Sequence, residues 1–130
     1  MIPGKVLIVD DNRANLKLAR VVLSLEGFDV RTALSAEEAL TVLESFTPDV
    51  ILMDVQLPGI DGLRLTKQLK ADPNRQHITV LAVTAYAMKG DMEKALAAGC
   101  DGYISKPFDP PALCSLIQHH LTSKRSLLGG

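Results

Sequence analysis

No run of apolar residues in this chain approaches the length of about 18 that a membrane span requires, so a membrane-embedded role is not expected. The segment after Met1-Ile2-Pro3-Gly4-Lys5 is apolar only as far as Asp10 and Asp11, too brief for the core of a secretory signal. The expected location is the cytoplasm. Excess positive charge is missing as well: 14 Lys and Arg against 15 Asp and Glu give a formal net charge of −1. That excludes the electrostatic footprint of a nucleic-acid binder, and the pair Lys124-Arg125 reads as a solvated tail. Cysteine is scarce. Cys100 and Cys114 have no metal-type spacing and are too few for a disulfide framework, so both are expected to be ordinary reduced thiols. Of the three histidines, His119 and His120 are adjacent and point to different faces of a helix, while His77 falls in a polar loop. All three read as surface residues, which leaves no Cys or His nucleophile. There is also no internal repeat, low-complexity tract or long linker.

What remains is an ordinary globular composition, 47% hydrophobic and 22% charged over 130 residues, enough for one domain with its own core. Strand-like runs alternate with helix-length amphipathic segments, the pattern of repeated βαβ units and a parallel sheet. Asn12 is expected to cap a first helix carrying Leu16, Ala19, Val22, Leu23 and Leu25, stopped by Gly27. Phe28 to Thr32 reads as the second strand. Ser35 and Glu38 form a capping box for a second helix with Ala39, Leu40, Val42 and Leu43, ended by Thr47-Pro48. A Pro58-Gly59 turn follows the third strand, and the third helix runs from about Leu63 to Ala71, before Pro73. The fourth helix is expected from about Lys89 to Ala98, closed by Gly99. Asp109 caps the last, with Pro110 at its first position and Leu113, Leu116, Ile117 and Leu121 on one face.

The count is five strands and five helices. Val6–Val9, Val50–Met53 and Val80–Val83 are apolar on both faces, as central parallel strands should be. The second strand, with Asp29 and Arg31, suits an edge. The expected architecture is a doubly wound α/β fold with a five-stranded parallel sheet in the order 2-1-3-4-5.

Ligands of such sheets bind outside the carboxyl ends of the strands. Four of those tips are polar here. Lys5-Val6-Leu7-Ile8-Val9 ends in Asp10-Asp11, and Asp49-Val50-Ile51-Leu52-Met53 ends in Asp54. Thr79-Val80-Leu81-Ala82-Val83 ends in Thr84, and Gly102-Tyr103-Ile104-Ser105 ends in Lys106-Pro107. Three carboxylates, a hydroxyl and an ammonium converge, a set able to bind a divalent cation and manage a phosphoryl group. Crowded carboxylates repel one another and need a cation to stay ionised together. Alone, Asp10-Asp11 could be a helix N-cap pair favoured by the dipole; with Asp54 and Lys106 in register, the metal reading is preferred.

Val-Asp-Asp-Asn at 9–12, Leu-Met-Asp-Val at 52–55, Leu-Pro-Gly-Ile-Asp-Gly at 57–62, Val-Thr-Ala at 83–85 and Gly-Tyr-Ile-Ser-Lys-Pro-Phe at 102–108 together resemble the receiver domain of two-component response regulators. The resemblance covers about residues 4 to 122, and its specificity lies in five ordered motifs rather than in any one. It implies a flavodoxin-like receiver over residues 1–122, of the stand-alone type, with 123–130 a disordered C-terminal tail. It also implies that Asp54 accepts a phosphoryl group from phosphohistidine on a sensor histidine kinase or histidine phosphotransfer protein. Mg²⁺ is the implied cofactor, held by Asp11, Asp54 and the Gln56 backbone carbonyl, with Asp10 acting through water or orienting the ligands. Lys106 would carry the phosphoryl charge, and Thr84 and Tyr103 would switch on phosphorylation. The Lys106-Pro107 bond is expected to be cis.

Such a protein catalyses only its own phosphorylation and dephosphorylation and acts through a downstream protein target, with a weak homodimer or kinase contact at the switching face. It needs neither nucleic acid nor membrane. Three other readings compete. An aspartyl-phosphate hydrolase usually carries Asp-x-Asp on its first strand and a cap domain, which 130 residues do not accommodate. An unphosphorylated docking module would not need the complete acceptor set. A receiver excised from a hybrid histidine kinase would share the chemistry.

Overall fold

A computed structural model describes residues 4–54, 62–84, 89–105 and 113–121 of the chain. The expectations for Gln56, Lys106, the Lys106-Pro107 bond, the Asp109-Pro110 helix start and the 123–130 tail lie outside the described residues, as does the Thr84 side chain. The elements are β1 (Lys5–Val9), α1 (Arg13–Leu25), β2 (Asp29–Ala33), α2 (Ala36–Leu43), β3 (Val50–Asp54), α3 (Gly62–Ala71), β4 (Thr79–Thr84), α4 (Lys89–Ala98) and β5 (Gly102–Ser105). A fifth helix, α5, covers 113–121.

The five strands form one sheet in the order β2-β1-β3-β4-β5. Every pairing is parallel, with Val6 opposite Val30 and Val50, Asp54 opposite Val83, and Leu81 opposite Gly102. Strand residues alternate between the two faces and build two cores. Leu7, Val9, Ile51 and Met53 pack with Leu43 of α2 and with Leu65 and Leu69 of α3. Val6, Ile8, Val50 and Leu52 pack with Leu16 and Leu23 of α1 and Ile117 of α5. Burying one such side chain is worth about 1.5–3 kcal/mol, so the central strands anchor the fold while β2 and β5 form its edges.

The helix ends follow local chemistry. The Asn12 side chain accepts from the Asn15 N–H at 3.0 Å, and Ser35 Oγ accepts from the Glu38 N–H at 3.1 Å. Gly27 takes φ 94°, which glycine adopts without penalty. Its N–H bonds the Ser24 carbonyl while the Phe28 N–H reaches back to Leu23, a complete Schellman ending. That use of Phe28 moves the second strand one residue on from expectation, to Asp29–Ala33. The second helix also stops earlier than Thr47-Pro48 suggested. Glu44 and Ser45 donate to Thr41 and Val42 in three-residue bonds that tighten the last turn, and Phe46 folds back into the core. A third difference concerns Leu25: expected on the apolar face of α1, it is 82% exposed.

At the end of the sheet opposite the strand tips, Lys70 Nζ donates to the carbonyls of Ile78 (2.7 Å) and Gln76 (3.3 Å) and to Asp101 Oδ2 (2.9 Å). The same Asp101 oxygen accepts from the Val80 N–H at 2.8 Å. One ammonium therefore joins α3, the approach to β4 and the turn into β5.

Candidate functional site

The carboxyl ends of β1 and β3 lie side by side because those strands pair in register from Val6↔Val50 to Val9↔Met53. Asp10 follows the last residue of one and Asp54 ends the other. Both aspartates are buried, each 6% exposed, while Asp11 is open to solvent. One carboxylate oxygen from each of Asp10, Asp11 and Asp54 lies within 4.8 Å of the others. Three anionic oxygens that close repel one another through a partly desolvated region. Such a set of hard oxygen donors suits a divalent cation that prefers oxygen ligands.

Asp10 is held by the first turn of α1. Its Oδ1 accepts the Asn12 N–H at 2.9 Å and its Oδ2 accepts from Asn15 Nδ2 at 3.4 Å. Its backbone N–H continues the β1–β2 ladder to Ala33 at 3.1 Å. Both Asp10 oxygens thus already have a donor, whereas Asp11 projects outward. Asp54 is fixed from behind. Gly62, the first residue of α3, approaches so closely that a Cβ there would meet the Asp54 carbonyl and lie 2.8 Å from Met53 Cγ. Thr66 Oγ1 donates to the Gly62 carbonyl at 2.8 Å, which secures that first turn.

Thr84 ends β4, with its backbone opposite Ser105 and one position beyond the Asp54–Val83 pair. Tyr103 sits on the edge strand β5 opposite Ala82, half-buried against the core on the α2–α4 side. The cysteines take no part in the site: both are buried and free. Burial pushes the Cys100 thiol up from its ordinary value, opposed by a contact to Thr66, and burial likewise raises Cys114. His119 and His120 do not point fully apart, since their rings meet edge to face at 5.8 Å.

Two residues of the site, Asn15 and Gly62, escape a reading of the sequence. Asn15 stands five residues after Asp10, a spacing that signals a contact only once the strand-to-helix turn is known. Gly62 belongs to a motif that assigns it no role of its own.

Residues 6–118 match the family described as response regulator receiver domain. The chain belongs to the response regulator receiver family. Along 119 residues this receiver is 44% identical to the polar-differentiation response regulator DivK of Brucella anthropi, covering 92% of this chain and 97% of that protein. The CheY-like response regulator receiver domain protein of Methanospirillum hungatei is 31% identical with a TM-score of 0.88, covering 97% of this chain and 98% of that one. The signal receiver domain of a histidine kinase from Syntrophus aciditrophicus is 29% identical with a TM-score of 0.85, covering 92% and 91%. The receiver fold and the 2-1-3-4-5 order expected from the sequence are both found. Among the described residues, no helix is long and apolar enough to cross a membrane.

Proposed function

We propose that this receiver accepts a phosphoryl group from phosphohistidine onto Asp54, with Mg²⁺, and thereby switches a protein-interaction face. The observation that carries the reading is the cluster of Asp10, Asp11 and Asp54 at adjoining strand tips. The donor set fits Mg²⁺, which binds one or two carboxylates and keeps several waters for exchange with phosphate oxygens. Asp11 and Asp54 would hold it directly, with the Gln56 backbone carbonyl. Asp10, whose two oxygens already accept from Asn12 and Asn15, would act through water. When bound, the ion neutralises charge on the phosphoryl oxygens.

An Asp54 oxygen attacks phosphorus in line. A P–O bond forms as the P–N bond of the donor breaks, and the imidazole nitrogen keeps the electron pair and takes up a proton. Asp54 becomes an acyl phosphate, later cleaved by water, so the protein turns over only its own modification. In this reading the Lys106 ammonium and the Thr84 hydroxyl contact the phosphoryl oxygens. The donor is a sensor histidine kinase or a histidine phosphotransfer protein.

A phosphoryl group adds about −1.5 to −2 charges. Thr84 moving toward it would free space for Tyr103, changing the face formed by α4, β5 and α5 where a downstream target binds. Phosphate can do this only by favouring one of two pre-existing arrangements. Intact mass after treatment with acetyl phosphate tests the chemistry. One added phosphoryl group is expected with Mg²⁺ and none after chelation or in Asp54→Asn; full labelling of the Asn variant overturns the assignment. Beryllofluoride, a phosphoryl mimic, should shift amide resonances of residues 86–105, and shifts confined to the Asp54 surroundings would remove the switch.

A further inference from the structure

The first turn of α1 contains a donor for which the helix has no use. The unsatisfied groups at a helix start are N–H groups, which call for acceptors, and Asn12 supplies one to Asn15. The Asn15 side chain does the opposite and donates from Nδ2 to Asp10 Oδ2, 3.4 Å away. Asparagine is also a weak helix former, so its value here lies outside α1. Asn12, Arg13 and Ala14 are exposed, whereas Asn15 is half-buried beside a cavity of about 10 Å³. Ile8, Ala19, Leu52 and Val83 supply apolar walls to that cavity. A space of this size stands at the lower limit for one water, which would find few polar partners there. The bond is long, but apolar surroundings strengthen it. With the Asn12 N–H on Asp10 Oδ1 at 2.9 Å, Asp10, Asn12 and Asn15 close a ring of three bonds.

We propose that Asn15 is a positioning residue that decides which cation the carboxylate cluster prefers, favouring Mg²⁺ over Ca²⁺. The inference rests on the reading of Asp10, Asp11 and Asp54 as a Mg²⁺ site and assigns that site its selectivity. Mg²⁺ keeps several waters and takes one or two carboxylates, whereas Ca²⁺ gathers about 6–8 oxygens and accepts a carboxylate through both of its oxygens. Asp10 could serve Ca²⁺ in that way only by turning both oxygens toward the ion. Each of them already accepts a bond from the first turn of α1. Turning would strand the Asn12 N–H and the Asn15 amide beside apolar walls, and buried donors left unpaired are costly. The Asn12 N–H is backbone and would be there with any residue but proline at that position. The part of the restraint that the sequence chooses is therefore Asn15.

The test uses the full chain labelled with ¹⁵N and titrated separately with Mg²⁺ and Ca²⁺, read from the amide shifts of residues 10–15 and 54. Asn15→Leu keeps nearly the same volume without the donor, and Asn15→Ala serves if the leucine variant does not fold. The ratio of the Ca²⁺ to the Mg²⁺ dissociation constant should fall by about tenfold in either variant, the effect usual for residues that orient a metal ligand. Lys70→Met weakens the fold at the opposite end of the sheet and should keep the wild-type ratio. In the metal-free protein, Asp10→Asn should move the side-chain amide resonance of Asn15, which reads the contact without any cation. An unchanged ratio in the Asn15 variants, an equal loss for both ions, or an Asn15 resonance indifferent to Asp10 overturns the proposal. A wild-type chain that binds no Mg²⁺ gives a different result, removing the Mg²⁺ reading of the cluster and this role with it. Mg²⁺ binding with an unchanged ratio removes the role of Asn15 alone.

Discussion

Gly62 has no functional group, yet it sets the position of the proposed phosphoacceptor. A Cβ at this residue meets the Asp54 carbonyl, which is backbone and cannot rotate aside. Gly62→Ala should therefore cost about 1–3 kcal/mol, the usual range for overpacking. It should also weaken Mg²⁺ binding when assayed well below its melting temperature, because the residue pushed away is Asp54; native affinity in a destabilised protein would restrict Gly62 to packing. The carboxylates themselves were legible because a polar residue ending an apolar strand is an anomaly along the chain. The glycine was not, since its role depends on α3 lying against the end of β3. Cys100 makes a different case. Its thiol is raised by burial from the ordinary value of 9.0, so above that pH the unfolded chain has lost a proton that the folded one keeps. Folding stability should accordingly fall as pH rises through and beyond 9. Urea midpoints measured against pH should show a flatter decline for Cys100→Ala, from a lower starting stability.

The elements were readable wherever a local rule governs a boundary. Asn12, Ser35 and Gly27 end their helices by bonds to residues within a few positions, so the sequence carries them in full. The end of α2 was misplaced because Pro48 is a strong stop, whereas burial of Phe46 acts earlier and shows only in three dimensions. Leu25 was misassigned for a related reason: helical spacing identifies an apolar stripe but not whether another element covers it. The join between α3, β4 and β5 was likewise invisible, since Lys70 and Asp101 are 31 residues apart. Lys70→Met keeps the stem and deletes the ammonium, leaving the Ile78 carbonyl and the Asp101 carboxylate short of a donor. A loss of about 1–3 kcal/mol is expected. Hydrogen exchange should quicken at Val80, whose N–H bonds Asp101, more than at Val6 or Val50; equal acceleration everywhere would mean that the ammonium only adds global stability.

For the whole molecule, the clustered carboxylates place a mutual repulsion in the folded state that a bound cation would relieve. Mg²⁺ binding only to the folded state should stabilise by about 2.7 kcal/mol at a hundredfold excess over its dissociation constant. Asp54→Asn relieves one repulsion, so its melting temperature without Mg²⁺ should exceed that of the wild type, and the gain on adding Mg²⁺ should shrink. An unchanged Mg²⁺ response in that variant would place the ion elsewhere. The parallel register also governs how the chain comes together. The nearest paired strand positions, Leu81 and Gly102, are 21 residues apart, and β1 must wait for β3 across 44 residues between Val6 and Val50. No hairpin can start the sheet, and ordering such long loops costs entropy before any contact compensates it. During synthesis β1 emerges first, yet one of its edges stays open until β3 has left the ribosome. In that interval the valines, leucine and isoleucine that later support the acidic site are available to strands of other nascent chains, which makes the slow arrival of β3 the vulnerable moment in the life of this protein.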